Sequence, residues 1–253
     1  MKYARIQVGN KAMYGRVEGQ NAIYEITDAP WRDHKRTDRA HKLSDAKLLS
    51  PCNPGKIIAI GLNYSDHLGD RKAPEVPEPF FKTVSSMVGP GDTIVLPREA
   101  TKVQEEAEVA IVIGKQCKNA TVDNATDFIF GYTCANDVSE RNWQKNDLQW
   151  WRAKSSDTFG PIGPYIATGL DPANIGVSCR INGRVVQDGN TKNLIHSIPK
   201  IIEFISRVMT LEPGDLILTG TPGIPEDIND GDSVEVEVEG VGILANSVCA
   251  EQS

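Results

Sequence analysis

Two glutamates at the entrance of an apolar strand are the first residues here that call for a chemical account. In Glu105-Glu106-Ala107-Glu108-Val109-Ala110-Ile111-Val112-Ile113-Gly114, an extended chain alternates faces at a rise of about 3.3 Å, so Glu106 and Glu108 share a face about 6.6 Å apart. Beyond them both faces turn apolar, Ala110 and Val112 on one and Val109, Ile111 and Ile113 on the other. Carboxylates leading into a buried strand are costly to desolvate, and a divalent cation compensates two or three of them at once. A buried salt bridge and an exposed strand end are the competing explanations. By contrast, Glu235, Glu237 and Glu239 alternate with valines, which makes them the water-facing side of a half-exposed strand.

A third acid, Asp137, follows the apolar run Phe128-Ile129-Phe130-Gly131-Tyr132-Thr133-Cys134-Ala135. Asp137-Val138-Ser139-Glu140 also fits a helix capping box, so a structural role competes with a ligand role. Downstream, Arg141 and Gln144 are spaced to share one face of a helix, and Lys154 follows Trp150-Trp151-Arg152-Ala153. Upstream, Asn63-Tyr64-Ser65-Asp66-His67-Leu68-Gly69-Asp70 sets His67 and Asp70 three apart, neighbours if that turn is helical. A histidine oriented by a carboxylate is a general-base arrangement; a surface histidine is the plainer reading.

The elements that must hold these residues are mostly strands. Residues 57–62 and 108–113 read as buried strands, 93–96 and 216–219 as short ones after Gly-Asp turns, and 234–238 as a half-exposed strand by its strict alternation. Periodicity predicts one clear amphipathic helix, over 197–209, with Ser197 as N-cap and Pro199 in the first turn. Residues 1–28 suggest small antiparallel strands. The charge-rich stretch 32–45, followed by Pro51 and Pro54-Gly55, marks a boundary between a small N-terminal β subdomain (1–50) and a main body (51–253). Many strands and few helices point to a mainly β fold with some α.

Composition narrows the class. The 253 residues carry 27 Lys and Arg against 34 Asp and Glu, a net charge of −7, and 40% are hydrophobic. That excludes wholesale disorder and gives no basic footprint for nucleic acid or an anionic membrane. No apolar run approaches a membrane span and the start lacks a signal-peptide core, so a cytoplasmic protein is expected. The five cysteines form no C-x-x-C pair. A G-x-G-x-x-A match at 240–245 leaves too little chain for a dinucleotide site, and phosphate-loop, H-E-x-x-H and G-x-S-x-G motifs are absent.

Read together, Gly61-Leu62-Asn63-Tyr64-Ser65-Asp66-His67, Glu106-Ala107-Glu108, Asn136-Asp137-Val138-Ser139-Glu140-Arg141, the run from Lys154 to Pro164, and Thr219-Gly220-Thr221-Pro222-Gly223 resemble the fumarylacetoacetate hydrolase family, specifically its short members acting on 2-oxo acids. The resemblance implies a mixed β-sandwich roll, commonly a homodimer, with Glu106, Glu108 and Asp137 as Mg²⁺ or Mn²⁺ ligands. It also implies Lys154, Arg141 and Gln144 facing the substrate, with Tyr64 and Thr221 beside them, the 219–222 turn giving backbone or hydroxyl donors, and His67 as base on a lid. The family usually has Glu three residues after that histidine, where this chain has Asp70, so Glu75 and Glu78 are alternative partners. The implied activity is C–C cleavage of a 2-oxo or 2,4-dioxo acid, of the acylpyruvate type, through a metal-bound pyruvate enolate. Decarboxylation or isomerisation of a 2-oxo-diacid of the homoprotocatechuate type, and oxaloacetate decarboxylation, are the alternatives. A non-catalytic metal-binding protein would not need His67, Lys154 and Arg141 as well.

Overall fold

The chain is mainly β with a few short helices. A computed structural model describes residues 1–19 and 21–252 and builds them around the strand Ala107–Ile113, every residue of which is buried. Val109, Ile111 and Ile113 enter one apolar cluster, and Ala110 and Val112 another, as an all-apolar run sandwiched on both faces requires. This strand pairs antiparallel with Ile129–Asn136 on one side and with Leu216–Leu218 on the other. Leu216–Leu218 runs parallel to Ile57–Gly61, which pairs with the edge strand Glu78–Lys82. A second sheet includes Gly176–Ile181, Ser233–Val238 and Gly242–Ala250. It packs Val177, Cys179, Val234 and Val236 into the same cluster as Val109 and Ile111.

The helix expected over 197–209 spans Ile198–Val208, with Ser197 extended before it and Pro199 in its first turn; it buries Ile198, Ile201, Ile202 and Ile205. Glu235 and Glu237 are half-buried between buried valines, as the alternation predicts. All five cysteines are free, and no helix among the described residues is long and apolar enough to cross a membrane.

At the N-terminus, Lys2–Val8, Lys11–Glu18 and Ala22–Ile26 form an antiparallel meander. Within the charge-rich stretch 32–45, Arg36–Lys42 forms a fourth strand on Ala22–Ile26. Charges suit such a position, because an edge strand faces water and is protected by them from pairing with other chains. They are also held there: His41 Nε2 lies 2.7 Å from Glu25 Oε1 and the Arg36 guanidinium 3.7 Å from the Tyr24 ring centroid. Through Lys2–Val8 these strands continue the large sheet, against Gly160–Ala167.

Candidate functional site

Strand register brings the three acids together. Ala107 faces Asn136 and Glu108 faces Ala135. One step further, the Asp137 amide donates to the Glu106 carbonyl at 2.9 Å, and Asn136 Oδ1 accepts the Glu106 amide at 2.9 Å. One oxygen from each of Glu106, Glu108 and Asp137 then lies within 4.8 Å of the others, all three buried.

Two buried lysines accompany them. Lys154 Nζ lies 2.6 Å from Glu106 Oε2 and 2.8 Å from Asp137 Oδ2, and Lys82 Nζ 2.6 Å from Asp137 Oδ1. Lys82 also donates to the Lys154 carbonyl, which ties the edge strand Glu78–Lys82 to the short helix Trp151–Ser155. The salt bridge and the carboxylate cluster, alternatives in the sequence, therefore coexist. Burial alone would raise the Glu106 carboxyl, but Arg141, Lys154 and His67 together hold it well below the usual carboxylate range. Glu108 goes the other way: burial, then Asp137 and Glu106, push it well above that range. No cation of the protein lies within ion-pair distance of Glu108 among the described residues; its Oε2 accepts the Gly220 amide at 2.5 Å. Three hard oxygen donors, one of them lacking a positive partner, fit Mg²⁺ or Mn²⁺.

Asp137 is not a helix cap. The helix starts later, at Arg141–Asn146, and its N-cap is Glu140, whose carboxylate accepts the amides of Trp143 (2.5 Å), Lys102 (2.9 Å) and Thr101 (3.1 Å). Glu140 wins the capping position by satisfying three backbone donors at once, which leaves Asp137 to the lysines. The helix presents Arg141 and Gln144 on one face, as the spacing predicts, with Arg141 Nη1 donating to Gln144 Oε1 at 2.9 Å. Arg141 Nη2 sits 2.7 Å from Glu106 Oε1 yet is buried without an aligned hydrogen-bond acceptor, so it retains a donor for an incoming oxygen.

The 219–223 turn braces the strand that carries the acids. Thr219 Oγ1 donates to the Val109 carbonyl and Thr221 Oγ1 to the Ala107 carbonyl, both at 2.9 Å. With the Gly220 amide spent on Glu108, both threonine hydroxyls and that amide are committed inside the protein. Gly220 has φ +103°, and a Cβ there would come within 2.8 Å of the Asn63 Cβ, so only glycine fits. Asn63 in turn donates to the Thr219 and His196 carbonyls (2.8 and 3.1 Å). Tyr64 is buried with an unpartnered hydroxyl and does not line the cavity described below.

His67 is in place, and its expected partner is not. The turn Ser65–His67 is a single 3₁₀ turn, and Gly69 at φ +57° ends the helical path; Asp70, Glu75 and Glu78 are all exposed. Instead, His67 Nδ1 lies 2.9 Å from the Gly223 carbonyl, and Nε2 lies 3.9 Å from Glu106 Oε1. A carbonyl only accepts, so Nδ1 carries the proton of the neutral ring and Nε2 is left as the basic nitrogen.

These groups surround one cavity of about 400 Å³, lined by His67, the three acids, Arg141, Gln144, Lys154 and Thr221. Two supporting residues give no sequence signal. Lys82 sits in a Pro-flanked charged stretch and reads as a surface charge. Gln187 lies on the second sheet, accepts the Ala107 amide at 2.9 Å and donates to Thr221 Oγ1 at 2.8 Å; only the tertiary fold joins it to the site.

A family model described as fumarylacetoacetate (FAA) hydrolase C-terminal matches residues 56–249, and one described as Rv2993c-like, N-terminal matches residues 1–51. A mitochondrial oxaloacetate tautomerase (fahd2) from Xenopus laevis is 44% identical over 81% of this chain and 69% of its own. The structure of 2-hydroxyhepta-2,4-diene-1,7-dioate isomerase from Mycobacterium marinum aligns at TM-score 0.94 and 41% identity, with 100% of both chains covered. Maleylpyruvate hydrolase from Sphingobium sp. SYK-6, in complex with manganese(II) and pyruvate, aligns at TM-score 0.82 and 31% identity, again over 100% of both chains.

Proposed function

This chain belongs to the fumarylacetoacetate hydrolase family, and from that premise we propose that it cleaves a C–C bond in a 2-oxo or 2,4-dioxo acid with the help of a divalent cation. Glu106, Glu108 and Asp137 would hold Mg²⁺ or Mn²⁺, which when bound supplies Lewis-acid polarisation of a substrate oxygen. The observation that carries the reading is His67, whose Nδ1 is anchored on the Gly223 carbonyl while Nε2 faces the carboxylate cluster.

The remaining roles follow from charge and reach. Arg141 and Gln144 would take the substrate carboxylate, Arg141 through its unaligned Nη2 donor. Lys154, a buried cation hydrogen-bonded to two of the three acids, would stabilise negative charge growing on the 2-oxo oxygen, a contribution of ~3–4 kcal/mol for one well-placed donor. His67 Nε2 would remove a proton from water as its oxygen adds to the C4 carbonyl. The C3–C4 bond then breaks, its electron pair passes to C3 as the pyruvate enolate, and His67 returns the proton to C3.

The similarity to an oxaloacetate tautomerase favours a second reading. There the same Nε2 moves a proton between C3 and the 2-oxo oxygen and no C–C bond breaks.

The test is to assay the purified protein with Mg²⁺ or Mn²⁺ against acetylpyruvate, fumarylpyruvate and oxaloacetate, following enol absorbance and CO₂ release. Loss of a 2,4-dioxo acid with formation of pyruvate supports cleavage, and enol–keto exchange of oxaloacetate alone supports the second reading. Activity that survives EDTA overturns metal dependence. His67→Ala should lower hydrolytic kcat by about 10²- to 10⁴-fold, the usual contribution of a positioned acid–base group. Asp70→Ala should have little effect, as for exposed side chains generally; a comparable loss there would restore the His67–Asp70 pair.

A further inference from the structure

We infer that Gln187 is a positioning residue that sets both halves of the site at once: the spacing of Glu106 and Glu108, and the carbonyl that holds His67. The first half rests on the reading above that these acids hold a divalent cation. Along the strand Ala107–Ile113 the backbone groups of alternate residues face the same neighbour, and those of Ile111, Val109 and Ala107 face the side on which Leu216–Leu218 runs. That strand stops short of Ala107: the last backbone contact on this side is the Thr219 amide donating to the Val109 carbonyl at 3.1 Å. Ala107 is fully buried, so its amide and carbonyl need other partners. Side chains take the place of the missing strand. Gln187 Oε1 accepts the Ala107 amide at 2.9 Å, Gln187 Nε2 donates to Thr221 Oγ1 at 2.8 Å, and Thr221 Oγ1 donates to the Ala107 carbonyl at 2.9 Å. With both backbone groups of Ala107 fixed, the chain stays extended between the two glutamates and keeps their side chains on one face.

The remaining hydrogen of the Gln187 amide goes to the histidine's side of the site. Nε2 donates to the Pro222 carbonyl at 2.6 Å, which fixes the peptide leading into Gly223, whose own carbonyl holds His67 Nδ1 at 2.9 Å. The second sheet meets this turn closely. Gly189 lies two residues on from Gln187 on the same face of the strand Arg184–Asn190, and a Cβ there would come within 2.5 Å of the Pro222 Cβ. One orientation of the amide serves all three contacts, because its oxygen must meet the Ala107 N–H and its NH₂ the Pro222 carbonyl. Gln187 is 2% exposed, so no water substitutes for a lost partner at low cost. It does not line the cavity, and it acts only through the groups it holds.

Gln187→Met tests this, since it keeps the side chain's length and removes all three hydrogen bonds. Ser206→Ala is the comparison: on the helix Ile198–Val208 it removes a buried oxygen that accepts the Ala120 amide at 3.0 Å, a bond of the same kind outside the site. Mn²⁺ affinity is measured by calorimetry without substrate. The His67 tautomer is read by nitrogen NMR of the metal-free protein with the ring neutral, its signals assigned by their loss in His67→Ala. Gln187→Met should weaken Mn²⁺ binding by about 10- to 100-fold, the range for groups that orient metal ligands, and should lower the share of the Nδ1–H form. Ser206→Ala should leave both readings at the parental value. Thr221→Val opens the same ring at its other corner and should also weaken Mn²⁺ binding, while Thr221→Ser keeps it; this pair decides the metal half if melting curves show Gln187→Met unfolded. Parental Mn²⁺ affinity or an unchanged tautomer in folded Gln187→Met, parental affinity in Thr221→Val, or an equal loss in Ser206→Ala would each overturn the inference. If the parent protein binds no Mn²⁺ while its tautomer shifts in Gln187→Met, the metal-dependent reading fails and the hold of Gln187 on His67 stands.

Discussion

Glu108→Gln should abolish metal binding and turnover while leaving the metal-free protein as stable as its parent. Glu108 has no cation partner among the described residues, and burial with two neighbouring acids pushes its carboxyl well above the usual carboxylate range. A glutamine keeps the side chain's size and its acceptor: its carbonyl can accept the Gly220 amide in place of Oε2, and its NH₂ can donate to the adjacent carboxylates. What it cannot supply is the anionic oxygen that a hard cation requires. Turnover should therefore fall by about 10³-fold or more, corresponding to several kcal/mol of lost Lewis-acid stabilisation, with the melting temperature in EDTA unchanged. Retained turnover would remove Glu108 from the ligand set. Glu106→Gln offers the contrast: it strips charge from the partner of Arg141 and Lys154, so it should lose stability as well as activity.

Asp137→Ala should produce the largest loss of stability, about 3–5 kcal/mol, the cost of leaving a buried ion without its partner. Asp137 is shared by Lys82 and Lys154, whose side chains are 0% and 3% exposed. Lys82 has no other anionic partner within ion-pair distance among the described residues. Urea unfolding in EDTA measures the effect apart from any metal. A loss below about 1 kcal/mol, the scale of an exposed pair, would show that Lys82 is neutral without Asp137, a state toward which burial already pushes it.

The parts of the site that were legible in the sequence are those set by local periodicity. Alternation put Glu106 and Glu108 on one face, the apolar continuation marked the buried strand, and three-residue spacing paired Arg141 with Gln144. What was not legible depends on one backbone dihedral or on distant strands. A capping box is a statement about four residues, and Glu140 displaced Asp137 from it because amides from residues 101 and 102 reach Glu140 across the fold. His67 and Asp70 would be neighbours in a continuing helix, but Gly69 takes a positive φ and the pairing is lost. Lys82 is separated from Asp137 by 55 positions, and nothing near it in sequence distinguishes it from a solvated lysine. The edge strand Arg36–Lys42 was hidden for the opposite reason: its charges are the mark of an edge, and they resemble those of a linker.

The two buried lysines also bear on how the site is filled. By setting two positive charges against three acids within the native fold, they give the polypeptide a resident counter-ion, so folding need not wait for a metal as it does in a zinc finger. Under the proposed metal-dependent reading, loading would be a separate exchange step after synthesis, in which divalent ions compete by affinity and abundance. The ion at work would then reflect the supply around the finished protein, and a preparation would carry the history of the media and buffers it has met.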